Sequence, residues 1–207
     1  MSNSPEIEAT SAEESTAVEA TPEPVGALAD AHRRLGASFG RYRGVASPET
    51  YGAEQAEFAA LQGGCGVVDS PWLERIEMQG EDRERFLNGL VTCDVKSLQA
   101  GEGTYGFVTN VKGRVLADLV VSALDDRLGI ELSPGTSQAV MEHLQKYIIV
   151  DRVEIATRPD LVALTLVGPR SSEVLAGVAL PEAEYGHVQA SLQGLEVHLS
   201  RRPALGA

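Results

Sequence analysis

The sequence predicts an α+β domain with a largely antiparallel sheet and packed helices. Three observations carry this. Apolar residues alternate with polar ones over several short runs, the period of a strand with one buried face. Short turns such as Asp125-Asp126 join neighbouring runs. Segments of helical spacing separate the groups of strands, which places helices against a sheet rather than between parallel strands.

In chain order, Ala27 to Ser38 reads as a short helix, with Leu28, Ala31 and Leu35 at helical spacing. Ser47-Pro48-Glu49 opens a second helix: Ser47 serves as N-cap and Pro48 as first residue, where its missing N–H is not needed. Tyr51, Phe58 and Leu61 share one face of it, and Gly63-Gly64 ends it. Leu73, Ile76 and Met78 form a strand that turns at Gly80. Asp82 to Leu90 is helical, with Phe86, Leu87 and Leu90 apolar. Tyr105, Phe107 and Thr109 alternate as a strand. Val115 to Leu124, rich in β-branched residues, turns at Asp125-Asp126 into Leu128, Ile130 and Leu132, a hairpin. Ser137 to Ile148 is a helix with Val140, Met141, Leu144 and Tyr147 on one side. Val153 to Thr157 and Leu161 to Val167 are strands, with Arg158-Pro159-Asp160 as their turn. Pro169 starts a short helix to Leu175, and Leu195 to Leu199 is a last strand.

The 207 residues hold 17 Lys and Arg against 30 Asp and Glu, a net charge of −13. Such a balance argues against a phosphate-backbone surface, which needs clustered cations. Hydrophobic residues at 43% exclude a wholly disordered chain. Aromatics are only 5%, so the core rests on Leu, Val, Ile and Ala. Residues 1–26 carry Glu6, Glu8, Glu13, Glu14, Glu19 and Glu23 with no Lys or Arg and few large apolar groups. They are expected to be a disordered acidic tail. Cys65 and Cys93 form no CxxC, so neither a metal site nor a disulfide framework is expected, and a reducing cytoplasm is the simplest setting. No apolar run approaches the roughly 18 residues of a membrane span. Val115 to Leu124, the richest, is interrupted by Asp118 and Ser122.

Several motifs fail on context. Gly101-Glu102-Gly103-Thr104-Tyr105-Gly106 fits GxGxxG, but a dinucleotide site needs a helix next, and a strand follows. The glycines are expected to serve a turn. His32, His143, His187 and His198 are scattered without metal-ligand spacing. Cys93 has no neighbour in sequence that activates a thiol and is expected to be a small buried side chain.

Residues 85–118 say more. Arg85-Phe86-Leu87-Asn88-Gly89-Leu90-Val91-Thr92-Cys93-Asp94-Val95 is followed by Tyr105, then by Asn110-Val111-Lys112-Gly113-Arg114-Val115-Leu116-Ala117-Asp118. This resembles the folate-binding domain shared by the glycine-cleavage T-protein (GcvT, aminomethyltransferase) and the YgfZ proteins: FLxGxxTxDV, a Tyr after a Gly, then NxxGxxxxD opening a strand. Leu144 to Ile148, Val153-Glu154-Ile155 and Leu166-Val167-Gly168-Pro169 continue the likeness over roughly residues 39–207.

The resemblance implies a GcvT-like fold and a tetrahydrofolate or folate-derivative ligand. Tyr105 is then a wall or stacking residue, Asn110 and the backbone at Val111 shape the pocket, and Asp118 is both pocket and catalytic residue. From spacing alone, Asp118 fits an outward strand position as well as a pocket, and Tyr105 fits a core position as well as a wall. Ala117 stands where T-proteins carry the first Asp of a pair, and Gly113-Arg114 where they show Gly-Gly. These departures lean toward the YgfZ side, which implies folate-dependent support of iron–sulfur cluster assembly or repair, with iron–sulfur client proteins as partners. The other side implies an enzyme moving a one-carbon unit from an aminomethyl-lipoyl carrier to tetrahydrofolate. No resident metal, nucleic acid or membrane partner is expected. Residues 27–207 are expected to be a partial domain, truncated before a C-terminal part that supplies a pterin-holding glutamate, so folate binding is expected to be weak or absent.

Overall fold

The computed structural model describes residues 22–23, 26–175 and 177–203. The expected acidic tail, residues 1–26, lies outside them except at Pro22, Glu23 and Gly26. The centre of the molecule is a five-stranded sheet of β4 (Glu74–Gln79), β5 (Gly103–Thr109), β6 (Val115–Ala123), β7 (Arg127–Leu132) and β8 (Glu154–Thr157). Its order is β5-β6-β7-β4-β8, and every neighbouring pair is antiparallel. The α+β expectation therefore holds.

One face of this sheet buries the core. Ile76 and Met78 on β4, Val108 on β5, Leu119 and Val121 on β6, and Leu128, Ile130 and Leu132 on β7 project to that side. They meet Phe86 and Leu87 of α3 (Arg83–Asn88) and Val140 and Leu144 of α4 (Ser137–Gln145). Burying each such side chain contributes about 1.5–3 kcal/mol, so this layer dominates the stability. The opposite face carries cross-strand ion pairs, Arg75–Glu131 and Arg127–Glu77, each at 3.1 Å. Partly exposed pairs of this kind contribute about 1 kcal/mol at most.

Three two-stranded ladders surround the sheet. β1 (Ser38–Tyr42) pairs with β2 (Val45–Thr50), β3 (Gly66–Asp69) with β9 (Leu164–Val167), and β10 (His187–Leu192) with β11 (Leu195–Ser200). α1 (Ala29–Arg34) precedes the first ladder, α2 (Glu54–Gly63) links β2 to β3, and α5 (Ser171–Val174) follows β9.

Several expectations are corrected. The first helix stops at Arg34 rather than Ser38, because Gly36 turns the chain at φ +80° and Ser38 already pairs with Thr50. Ser47-Pro48-Glu49 opens no helix. Ser47 is a buried strand residue whose hydroxyl donates to the Val45 carbonyl, and Pro48 sits opposite Phe39 beside a register shift, where a missing N–H is tolerated. The helix starts later, and Glu57 caps it by accepting from Tyr51 N, Ala53 N and Thr50 Oγ1 at 2.9, 3.1 and 3.0 Å. β8 and β9 are not a hairpin. The Arg158 amide donates to the Arg75 carbonyl and its guanidinium binds Glu77, which extends β8 along β4; the chain then leaves for β3.

Candidate functional site

β5 and β6 build the site. Along β5, Gly106 and Val108 face the core while Tyr105 and Phe107 face the other way. Along β6, Ala117, Leu119 and Val121 face the core, so alternation turns Asp118 to the side of Tyr105 and Phe107. Phe107 is the register partner of Asp118, and Tyr105 lies one step along the diagonal. Beyond this point the register slips: Val108 pairs with Ala117 but Thr109 with Val115. The extra residue is a β-bulge, and it leaves Val115 and Leu116 both exposed at the rim.

Among the described residues, the Asp118 carboxylate has two partners. Ser133 Oγ donates to Oδ1 at 2.7 Å, and the Tyr105 hydroxyl lies 3.5 Å from Oδ2. The second contact is long and leaves Oδ2 with capacity for another donor. Partial burial and then the Asp118 charge push the Tyr105 phenol above its usual range, so it stays a donor at neutral pH. Tyr105 meets Phe107 edge-on at 5.4 Å and lies nearly parallel to Tyr185 at 6.1 Å. Tyr105 remains 41% exposed and Phe107 36% exposed, so Tyr105 is a rim residue rather than core, and the site is an open aromatic shelf around one carboxylate.

Two expected pocket residues sit differently. Asn110 begins the β5–β6 turn, and its Oδ1 accepts from Lys112 N and Arg114 N at 2.9 and 3.1 Å. Its side-chain acceptor is therefore engaged within the turn. Val111 is 85% exposed at the tip of that turn. They shape the end of the ribbon, while Tyr105 and Asp118 come together farther along it.

Sequence reasoning misses three contributors. Ser133 follows β7 directly. Arg43, in the β1–β2 turn, donates to Ser133 Oγ at 3.4 Å. Tyr185 precedes β10 and brings that hairpin against Tyr105. A separate polar constellation escapes it as well: buried His32 joins Asp69 at 2.8 Å and Tyr51 at 2.7 Å, tying α1 to β3 and to the loop before α2.

The three glycines of the GxGxxG match have separate structural uses. Gly101 turns at φ +91°. A Cβ on Gly103 would lie 2.8 Å from the Val121 carbonyl oxygen and closer still to that of Tyr185. A Cβ on Gly106 would lie 2.6 Å from Cys93 Sγ. The turn expectation thus holds for the first glycine only; the other two permit close packing. Burial pushes the Cys93 thiol up, as suits a packing side chain.

These features define an α+β domain whose central sheet presents a carboxylate among aromatic rings. The chain belongs to the GCVT N-terminal domain family, whose pattern matches residues 28–202. It is 29% identical over 179 residues to the aminomethyltransferase of Mycobacterium leprae (strain Br4923), covering 85% of this chain and 49% of that protein. To the aminomethyltransferase of Mycobacterium avium (strain 104) it is 31% identical over 157 residues, covering 75% and 43%. The crystal structure of glycine cleavage system aminomethyltransferase T from Bartonella henselae matches with a TM-score of 0.68 and 26% identity, over 77% of this chain and 45% of that one. The chain spans about half the length of the curated relatives it matches.

Proposed function

We propose that this domain binds a tetrahydrofolate-class ligand on the Tyr105–Phe107 shelf and serves aminomethyl transfer. The observation that carries it is the Asp118 carboxylate, fixed by Ser133 and flanked by Tyr105. A reduced pterin carries a flat pyrimidine ring edged with N–H donors. The aromatic shelf offers it apolar contact, and Asp118 Oδ2 offers an acceptor. An aspartate so placed can also hold or take a proton at a reacting nitrogen. The aminomethyltransferase names of the relatives support this reading over iron–sulfur cluster assembly or repair, which no observation on the fold favours.

The test is an anaerobic titration of the isotope-labelled chain with tetrahydrofolate, followed by amide NMR shifts. Weak but saturable shifts at Tyr105, Phe107, Asp118 and Ser133 are expected, and Asp118→Asn should abolish them. Shifts that spare these residues, or that persist in the Asn variant, overturn the assignment.

A further inference from the structure

The β10–β11 hairpin meets the central sheet at few points. The His187 amide donates to the Gly101 carbonyl at 2.8 Å, the single backbone hydrogen bond between the hairpin and the β5–β6 ribbon among the described residues. Tyr185 lies against Tyr105, with ring centroids 6.1 Å apart. Arg202, just past β11, pairs with Glu131 of β7 at 3.1 Å.

Two imidazoles sit at this contact. His187 is 6% exposed, and its Nε2 is buried with no hydrogen-bond partner among the described residues. Its ring meets that of His198 edge-on at 4.4 Å. A buried ring nitrogen without a partner suits the neutral imidazole, because both N–H groups of an imidazolium need acceptors. The surroundings are cationic instead. Arg202 faces His187, and Arg202, Arg127 and Arg75 face His198. The carboxylates among them are taken: Glu131 holds Arg75 and Arg202, and Glu77 holds Arg127 and Arg158. Glu102 accepts from the Gln99 amide. The nearby Ala123 and Glu102 carbonyls already accept from Gly101 N and Ala123 N. On the hairpin itself Glu196 shares the face of both histidines but is exposed near the turn.

Burial pushes the His187 imidazole below its ordinary value, and the Arg202 charge adds to this. His198 is open to solvent on one side, yet it too is pushed down, to about 4. Loss of water around the rest of its ring comes first, then His187 and the three guanidiniums.

We propose that the His187–His198 pair is an acid-released latch: with both imidazoles neutral it holds the β10–β11 hairpin on the sheet, and a proton on either frees the hairpin and takes Tyr185 off Tyr105. In the freed hairpin both histidines titrate near their ordinary value of about 6.5. Latching is therefore complete above that value and weakens as pH falls from it toward the lower values of the docked state. Mild acid then uncovers the Tyr105 ring. The consequence for ligand access rests on the shelf reading given above; the release itself does not, and it is measured without ligand.

The experiment follows amide hydrogen exchange of the full chain, as protection factors, from pH 7 to pH 5. The His187 amide reports the latch, and the Leu128 and Ile130 amides report the central sheet. Protection at His187 should fall about 10-fold, the size of one buried histidine charged over that range, while β7 stays unchanged. In the double variant His187→Phe, His198→Gln the amide at position 187 should keep its protection. Protection that is constant in the parent, or that falls in step with β7, overturns the proposal. So does a fall that persists in the double variant. Should that variant not fold, NMR titration of the parent decides: both histidine midpoints should lie below 6.5, and midpoints at or above it overturn the latch.

Discussion

Ser133 and Asp118 stand opposite one another, one rung past the last register pair of β6 and β7, Leu119 with Leu132. Ladder geometry thus delivers the serine hydroxyl to the carboxylate without a dedicated loop. Ser133→Ala should cost about 1–2 kcal/mol, a hydrogen bond to a charged group in a partly open place. It should also weaken the pterin-induced NMR shifts, and Ser133→Thr should restore them. If the alanine variant binds as the parent does, Asp118 needs no such support.

Gly106 exists for Cys93. A Cβ there meets Sγ at 2.6 Å, the Cys93 Cβ at 2.8 Å and the Cys93 amide nitrogen at 3.2 Å. Gly106→Ala should therefore cost about 1–3 kcal/mol through overpacking. Adding Cys93→Gly should recover part of that loss, and denaturant melts of the four-member cycle read the coupling. Additive losses would show that the two residues do not compete for space.

Asn110 should prove a turn residue. Asn110→Ala removes the acceptor of two amides and should lower stability by about 1 kcal/mol, whereas Asn110→Asp should keep most of it. Thermal melts of both variants check this. A destabilised Asp variant would mean that the side-chain amide donors also brace the turn.

Glu74 supplies an acid-sensitive brace. Its carboxylate accepts from Gly135 N at 2.8 Å and Ser137 N at 2.7 Å, capping α4 from a neighbouring strand. Burial pushes this carboxyl up, but hydrogen bonds from Ser137, Gly135 and Thr136 outweigh burial and the net shift is downward. A carboxyl lowered in the folded state lends stability that is complete above the usual Glu value of about 4.3, and that is lost as pH falls through the folded value. Glu74→Gln should lower stability at neutral pH by about 1 kcal/mol and flatten the acid side of the stability curve. Parallel curves for the two proteins would remove Glu74 from the acid response.

The elements legible in the sequence are those with local signals. β4 and β7 announce themselves by alternation, β6 by its β-branched residues, and α3 and α4 by paired apolar residues such as Phe86-Leu87 and Val140 with Leu144. The β1–β2 and β10–β11 hairpins stay hidden for one shared reason. Their turns, Arg43-Gly44 and Gln193-Gly194, have positive φ at both positions but lack the Asn or Asp that signals such a turn. Ser47-Pro48 then imitates a helix start. In the site, Tyr105 and Asp118 are legible because they share one ribbon. Ser133, Arg43 and Tyr185 are not, since each arrives from a different element and only the folded chain brings them together.

The β3–β9 ladder places Val68 opposite Thr165, so the whole central sheet is spelled out between its two halves. At a synthesis rate of about 5–20 residues per second, the first half leaves the ribosome roughly 5–20 seconds before its partner. Through that interval Val67 and Val68 form an unclaimed edge, open to any passing strand. The newborn chain thus has a brief window of vulnerability, which closes when Leu164–Val167 emerges.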